Sequence, residues 1–275
     1  MSKLLEIDET GYRAAFGKTP FAITHQLTQH PLLTVERVAD LADALPEASV
    51  EHNLGNVDKF VPGGEAPRLD ATPGEVARGI ETNGSWMVLK NIEQDPEYNR
   101  LLDEALDEVA EYAKAEGGMT GREGFIFLSA PGSMTPAHID PEHNFLLQIR
   151  STKTMNAGRF PDQETEQREL ERYYHGGHRN IDWEPAGEQA FPLDPGDGVY
   201  MPPHAPHWVK SGPTVSVSLS VTFRTPATER AARVNVANAH LRKLKLSPRP
   251  AGQSERPDRV KANLMRSWEK LRRAS

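Results

Sequence analysis

From Gly121 to Arg224 the chain alternates short β-rich runs with clusters of Gly, Pro and Asp: Phe125-Ile126-Phe127-Leu128, Asn144 to Ile149, Gly198 to Met201, and Val215 to Phe223. Runs this short, with turn residues between them, make a barrel or sandwich rather than a bundle. The last run alternates without exception, Val215, Val217, Leu219, Val221 and Phe223 against Ser216, Ser218, Ser220 and Thr222. Successive strand side chains point to opposite faces. One face is therefore apolar, and the other either lines a narrow polar lumen or meets water. The expected core is a jelly-roll barrel over 121–224, mainly β with flanking helices.

The flanks have a different grammar. Leu33, Val35, Val38, Leu41, Ala42 and Leu45 recur near the helical period behind Thr34, a candidate cap. Gly55 to Pro73 is rich in Gly, Pro and charge and is expected to be a loop, with a short helix restarting at Pro73. Trp86 to Leu89 is expected to be a buried strand, and Leu101, Leu102, Ala105, Leu106, Val109 and Tyr112 predict one helix over 96–115, ending at Gly117-Gly118. Residues 1–120 thus form an α/β flank packing on the barrel. Residues 225–275 form a helical extension, Ala227 to Leu244 and Asp258 to Arg272, in which Val234, Val236, Ala237, His240, Leu241 and Leu244 are expected to form a docking face, or the contact of a homodimer. The insert from Gln163 to Trp183 is long for a hairpin connection and is expected to be a lid or substrate loop.

Composition narrows the chemistry. The 275 residues include no cysteine, so thiolate metal sites, iron-sulfur clusters and disulfides are excluded, and any metal must be held by His, Asp or Glu. Ten histidines are available. Fourteen Lys and Arg against four Asp and Glu from Arg224 onward leave an excess of ten positive charges; with a net charge of −7, the remainder carries seventeen negatives. A basic tail suits an acidic surface, but it contains no recognisable DNA-reading module, and nucleic acid is not an expected partner. The N-terminus carries acidic residues where a signal peptide would be apolar, and no run reaches the length of a membrane span, so a cytoplasmic protein with no membrane contact is expected.

Within the barrel segment, His138-Ile139-Asp140 places two metal-binding side chains on one face of an extended chain. Alone, this spacing is weak evidence. Downstream, Leu193 to Pro202 carries the turn Pro195-Gly196-Asp197-Gly198 and leads to His207, which Trp208 and Val209 continue into a strand; His204 is the competitor, set among prolines. Two imidazoles and one carboxylate can occupy one face of an octahedral ion and leave the opposite face open, as in non-haem Fe(II) oxygenases. Asn144 and Lys153 are expected to follow on one strand, the lysine suggesting an acidic co-substrate. His175 and His178 do not suggest a second metal site, since Gly176-Gly177 fixes no common face.

The run from His138 to Lys153, with Pro195 to Pro202 and His207, resembles the JmjC-type, cupin-like (cupin_8) Fe(II)- and 2-oxoglutarate-dependent oxygenases, particularly their small hydroxylases. The resemblance covers about residues 121–224. It implies a double-stranded β-helix barrel, with His138, Asp140 and His207 as catalytic iron ligands and Thr135, Asn144 and Lys153 as the groups that hold 2-oxoglutarate. Where the family often has Gly-x-Lys, this chain has Ser151-Thr152-Lys153. The implied reaction is hydroxylation of a C–H bond with release of succinate and CO2; the substrate, a protein, a peptide or a small molecule, is not specified. Tyr174, His178 and Arg179 of the insert are candidate substrate contacts. Two rivals stand beside this reading. One is a metal-dependent cupin enzyme without 2-oxoglutarate, which gives Lys153 no role, and the other is a non-enzymatic regulator using the basic C-terminal segment.

Overall fold

The computed structural model describes residues 3–61 and 69–274. Its strands are β1 (Leu5–Glu6), β2 (Phe21–His25), β3 (Val50–Leu54), β4 (Ser85–Lys90), β5 (Thr120–Ser129), β6 (Met134–His138), β7 (His143–Arg150), β8 (Lys153–Arg159), β9 (Ala186–Leu193), β10 (Asp197–Met201), β11 (His207–Ser211) and β12 (Ser216–Arg224). Its helices are α1 (Glu9–Ala15), α2 (Val35–Ala44), α3 (Pro73–Arg78), α4 (Pro96–Asp107), α5 (Ala110–Ala113), α6 (Gln163–Tyr174), α7 (Pro226–Lys243) and α8 (Glu255–Ala274). Eight strands pair in the order β1-β2-β10-β7-β12-β5-β4-β3 and four in the order β6-β11-β8-β9. The two antiparallel sheets with their flanking helices make the jelly-roll, cupin-like fold expected from the sequence.

Both faces of β12 are buried, which decides between lumen and solvent. Val217, Leu219, Val221 and Phe223 join the large apolar core with Leu101, Leu102 and Leu106 of α4. Ser216, Ser218, Ser220 and Thr222 are at most 3% exposed although polar, because they face the four-stranded sheet. Full burial of each large aliphatic side chain contributes roughly 1.5–3 kcal/mol. The apolar face of β12 therefore anchors the sheet, and its hydroxyl face is left to line the lumen.

The flank does not form a separate layer: β3 and β4 extend one edge of the barrel's large sheet, and β1 and β2 extend the other. Thr34 caps α2 through Arg37 N–H, and Thr72 with Glu75 forms a capping box at Pro73. Of the expected loop at 55–73, residues 62–68 lie outside the described residues, as do Met1 and Ser2.

Three expectations need correction. The helix over 96–115 is interrupted after Asp107, where the Glu108 carboxylate accepts the backbone N–H groups of Leu4 and Leu5 and ties the chain start to α4. Asn144 and Lys153 lie on different strands in different sheets, because Ser151 turns the chain with φ 64°. The expected α7 face is partly used within the chain: Val234 and Ala237 are buried, and α7 packs against both α6 and α8, whereas Leu244 at the end of that face is exposed. Further exposed apolar side chains lie on α8 at Val260, Leu264, Trp268 and Leu271. No helix among the described residues is long and apolar enough to cross a membrane.

Candidate active site

Antiparallel pairing of β6 with β11 sets His207 opposite His138 and Val209 opposite Thr135. Three residues of β6 thus span what two residues of β11 span. This bulge lets both Thr135 and His138 share the lumen side with Val209 and His207. Asp140 follows two residues beyond His138, with Ile139 turned into a separate apolar cluster. The Asp140 carbonyl accepts the N–H of His204 at 2.7 Å, so the loop leading to β11 is pinned to the segment carrying the carboxylate.

The three side chains converge. His138 Nε2 lies 3.3 Å and His207 Nε2 3.6 Å from the same oxygen, Asp140 Oδ2, and the imidazole centroids are 4.1 Å apart. In each ring Nδ1 faces a backbone carbonyl, Pro136 O at 2.7 Å and Ala205 O at 2.9 Å. A carbonyl can only accept, so Nδ1 carries the proton and Nε2 presents a lone pair. Burial, together with the neighbouring His138, pulls the His207 imidazole down to about 3, so it is neutral near pH 7. For Asp140, burial alone would raise the carboxyl; the Arg179 guanidinium and the two imidazoles outweigh it and hold the group well below the usual carboxylate range. Two imidazole lone pairs and a carboxylate oxygen within 4.8 Å of one another fit a divalent cation.

Around this centre opens a cavity of about 540 Å³, walled by β3 and β4 (Glu51, Asn53, Trp86, Lys90), by Phe125 and Phe127 of β5, by Thr135, and by Tyr173, His178 and Arg179 of the insert. Glu142, at the same mouth, is pushed up to about 7 by burial and by Asp140, although Arg224 pairs with it.

Deeper in the lumen, Lys153 reaches across from β8 to β12. Its Nζ donates to Ser218 Oγ at 2.8 Å, Ser218 Oγ donates to Gln148 Oε1 at 2.7 Å, and Gln148 Nε2 is spent on Arg150 O, Ser151 O and Ser216 Oγ. No carboxylate pairs with Lys153 among the described residues, and burial pulls its ammonium down to about 7. Asn144, on the lumen side of β7, has its Oδ1 buried without a partner, as does the Ser220 hydroxyl. A buried cation beside unspent polar groups is incomplete as it stands, and an anion with its own acceptors fits it.

The structure therefore brings His138, Asp140 and His207 together at the mouth, Thr135 beside them, and Lys153 with Asn144 on the lumen side of facing sheets. Tyr174 is placed elsewhere: its hydroxyl bonds His204 Nε2 at 2.6 Å, which accounts for His204 outside the convergent group. His175 neighbours Lys243 and His178 accepts from Asn180 N–H, so they do not converge. Sequence reasoning missed Glu51 and Asn53 because β3 was not anticipated, and Lys90 because it lies one residue beyond the expected strand at Trp86 to Leu89. It also missed the Gln148–Ser218 relay, although the hydroxyl face of β12 was a visible signal for it.

The JmjC domain family matches residues 92–231, half of the chain. This chain belongs to the JmjC domain family. The match begins in the flank, near the start of α4, and ends just inside α7, so the JmjC unit includes helices that cover the barrel. Among solved structures the chain is similar to ycfD from Escherichia coli, at 18% identity and TM-score 0.56 over 92% of this chain and 63% of that one. It is also similar to the Escherichia coli ribosomal oxygenase YcfD in complex with cobalt and 2-oxoglutarate (16% identity, TM-score 0.53) and with cobalt and succinic acid (17%, 0.51), each over 96% of this chain and 67% of that one. At these identities the likeness shows the fold, and this JmjC chain spans about two thirds of the length of those structures. No curated protein matches its sequence.

Proposed function

We propose that this chain is an Fe(II)- and 2-oxoglutarate-dependent oxygenase that hydroxylates a protein or peptide substrate. The observation that carries the reading is the pairing, in one lumen, of three convergent donors at the mouth with a buried lysine that has no carboxylate partner among the described residues. JmjC membership supports it, and the cobalt and 2-oxoglutarate held by the structurally similar YcfD agree with it. YcfD is a ribosomal oxygenase, which favours a protein over a small metabolite as substrate here and fits a cytoplasmic location.

His138, Asp140 and His207 hold the metal through two Nε2 atoms and a carboxylate oxygen, with the Nδ1–carbonyl bonds fixing the tautomers. When bound, Fe(II) with 2-oxoglutarate and O2 supplies the oxidising chemistry, and the co-substrate leaves as succinate and CO2. Lys153 receives the far carboxylate of 2-oxoglutarate as a point charge held by Ser218, and Thr135 and Asn144 contribute neutral hydrogen bonds. Charge-assisted bonds of this kind are strong in a dry cavity. The wall formed by β3, β4 and the insert admits the target, with His178 and the Glu51–Lys90 ion pair lining it. Orientation and exclusion of water are the protein's contribution to rate.

The test is anaerobic addition of Fe(II) and 2-oxoglutarate to the purified protein. The reading expects a visible metal-to-ligand charge-transfer band in the wild type and its loss in His138→Ala. A wild type without the band would overturn it, and a band lost in Lys153→Ala with metal uptake unchanged would set aside the rival without 2-oxoglutarate.

A further inference from the structure

The insert reaches the metal-ligand carboxylate directly. Arg179 NH1 donates to Asp140 Oδ1 at 2.9 Å, while Oδ2, the other oxygen, faces both histidines. The backbone carrying Arg179 runs as a short added strand along the ligand segment. Ile139 N–H donates to Arg179 O at 3.1 Å, Ile181 N–H donates to Ala137 O at 3.0 Å, and His138 bridges to Asn180. The side chains flanking His138 take part too, since Ala137 and Ile139 are buried with Leu170 of α6 and Ile181. Arg172 of α6 closes the loop by donating to His178 O and Asn180 O, and Asn180 Nδ2 donates to Val61 O.

We propose that Arg179 is a positioning residue that occupies Asp140 Oδ1, so that the carboxylate offers a metal one oxygen only, and that through it docking of the insert and loading of the metal site are coupled. The inference rests on the metal-site reading above. A carboxylate that chelates through both oxygens takes two positions on an octahedral ion. With two imidazoles, that would leave two positions free instead of three, one fewer than a two-point co-substrate and O2 need together. Ligating carboxylates are commonly held by an outer hydrogen bond, and here that bond comes from the element that also walls the substrate cavity. The guanidinium therefore serves orientation and closure, and its charge is engaged by Asp140 before any substrate arrives. Thermodynamic reciprocity follows: if docking fixes Asp140, metal bound at Asp140 must in turn hold the insert closed.

The experiment compares wild type, Arg179→Gln and Arg179→Lys with and without Co(II), using chymotrypsin, which cuts after Tyr173, Tyr174 and Trp183 and is blind to the substituted residue. A charge-assisted contact corresponds to about tenfold in an opening equilibrium. Cleavage of the insert is expected to rise about tenfold in Arg179→Gln, to return part-way in Arg179→Lys, and to be slowed by Co(II) in the wild type but not in Arg179→Gln. The metal-induced infrared difference spectrum is expected to show one-oxygen carboxylate coordination in the wild type and two-oxygen coordination in Arg179→Gln. Equal cleavage of wild type and Arg179→Gln, equal protection by Co(II), or two-oxygen coordination in the wild type overturns the inference and leaves the metal reading standing. A wild type that takes up no Co(II) overturns both. Should Arg179→Gln fail to fold, the wild type still decides, since two-oxygen carboxylate coordination, or insert cleavage that Co(II) does not slow, overturns the inference without any variant.

Discussion

The two ends of the lumen treat charge in opposite ways. At the mouth the Asp140 carboxylate is answered inside the chain by Arg179 and by two imidazoles, and Glu142 is answered by Arg224. At the inner end Lys153 meets only hydroxyl and amide groups, Ser218 and behind it Gln148. A chain free to optimise stability would pair or replace such a lysine, because an ammonium without a counter-ion is among the costliest things to bury. The mouth is thus organised before anything binds, and the inner end becomes electrically complete only with an anion. On the function proposed above, the contrast would let the lumen discriminate a dianionic co-substrate from neutral molecules of the same size.

The comparison breaks most visibly at the mouth. Asp140→Ala removes the shared oxygen and leaves two imidazoles, so Co(II) binding measured by calorimetry should weaken by about 100-fold or more; an affinity near the wild type's would dissolve the proposed centre. At the inner end, Lys153→Met should weaken 2-oxoglutarate by about 10- to 100-fold while sparing Co(II). The same change should stabilise the ligand-free protein in urea, since the fall of the lysine from 10.5 to about 7 corresponds to at most about 5 kcal/mol of burial penalty. Loss of metal along with the co-substrate would show that the two ends are not separable.

A pH series sharpens the same contrast. Lys153 holds its proton up to about 10.5 in the unfolded chain but only to about 7 in the folded, ligand-free protein. The unfolded state therefore binds more protons between these values, and ligand-free stability should rise with pH across that window, with the full penalty present below pH 7. Affinity for 2-oxoglutarate should move the other way, falling as pH rises above 7 by up to about tenfold per unit, and Lys153→Met should flatten both slopes. A smaller effect is expected from Ser218→Ala, which removes the hydroxyl between Lys153 and Gln148. It should weaken 2-oxoglutarate about two- to tenfold, and a neutral result would mean that the lysine needs no support. Smallest, and a control far from both ends, is Thr72→Ala. Breaking the capping box of α3 should cost about 1 kcal/mol in thermal unfolding and leave metal and 2-oxoglutarate affinities where they were.

Much of this contrast was legible in the chain, for reasons particular to each element. The β12 alternation announced a two-faced strand, and His138-x-Asp140 with His207 announced a donor set, because period-two geometry and ligand chemistry are both local. Strands β2, β3 and β9 escaped notice; their apolar residues are few, and neighbouring strands rather than their own pattern hold them in the sheets. The part of the cavity wall at Glu51 and Asn53 was lost with β3. Lys153 was expected on the strand of Asn144 and lies on another, since the αL turn at Ser151 uses a residue that gives little warning of a positive φ.

The sequence alone determined the barrel, its helical flanks, the absence of thiol chemistry and the identity of the three convergent donors, all properties of local spacing and residue type. Only the tertiary structure decided that the serine face looks inward, that Lys153 reaches Ser218 and meets no carboxylate among the described residues, that Tyr174 serves His204 and that Arg179 holds Asp140. Those are statements about which side chains meet across different strands and loops, and such meetings depend on register and sheet order, which no local pattern encodes.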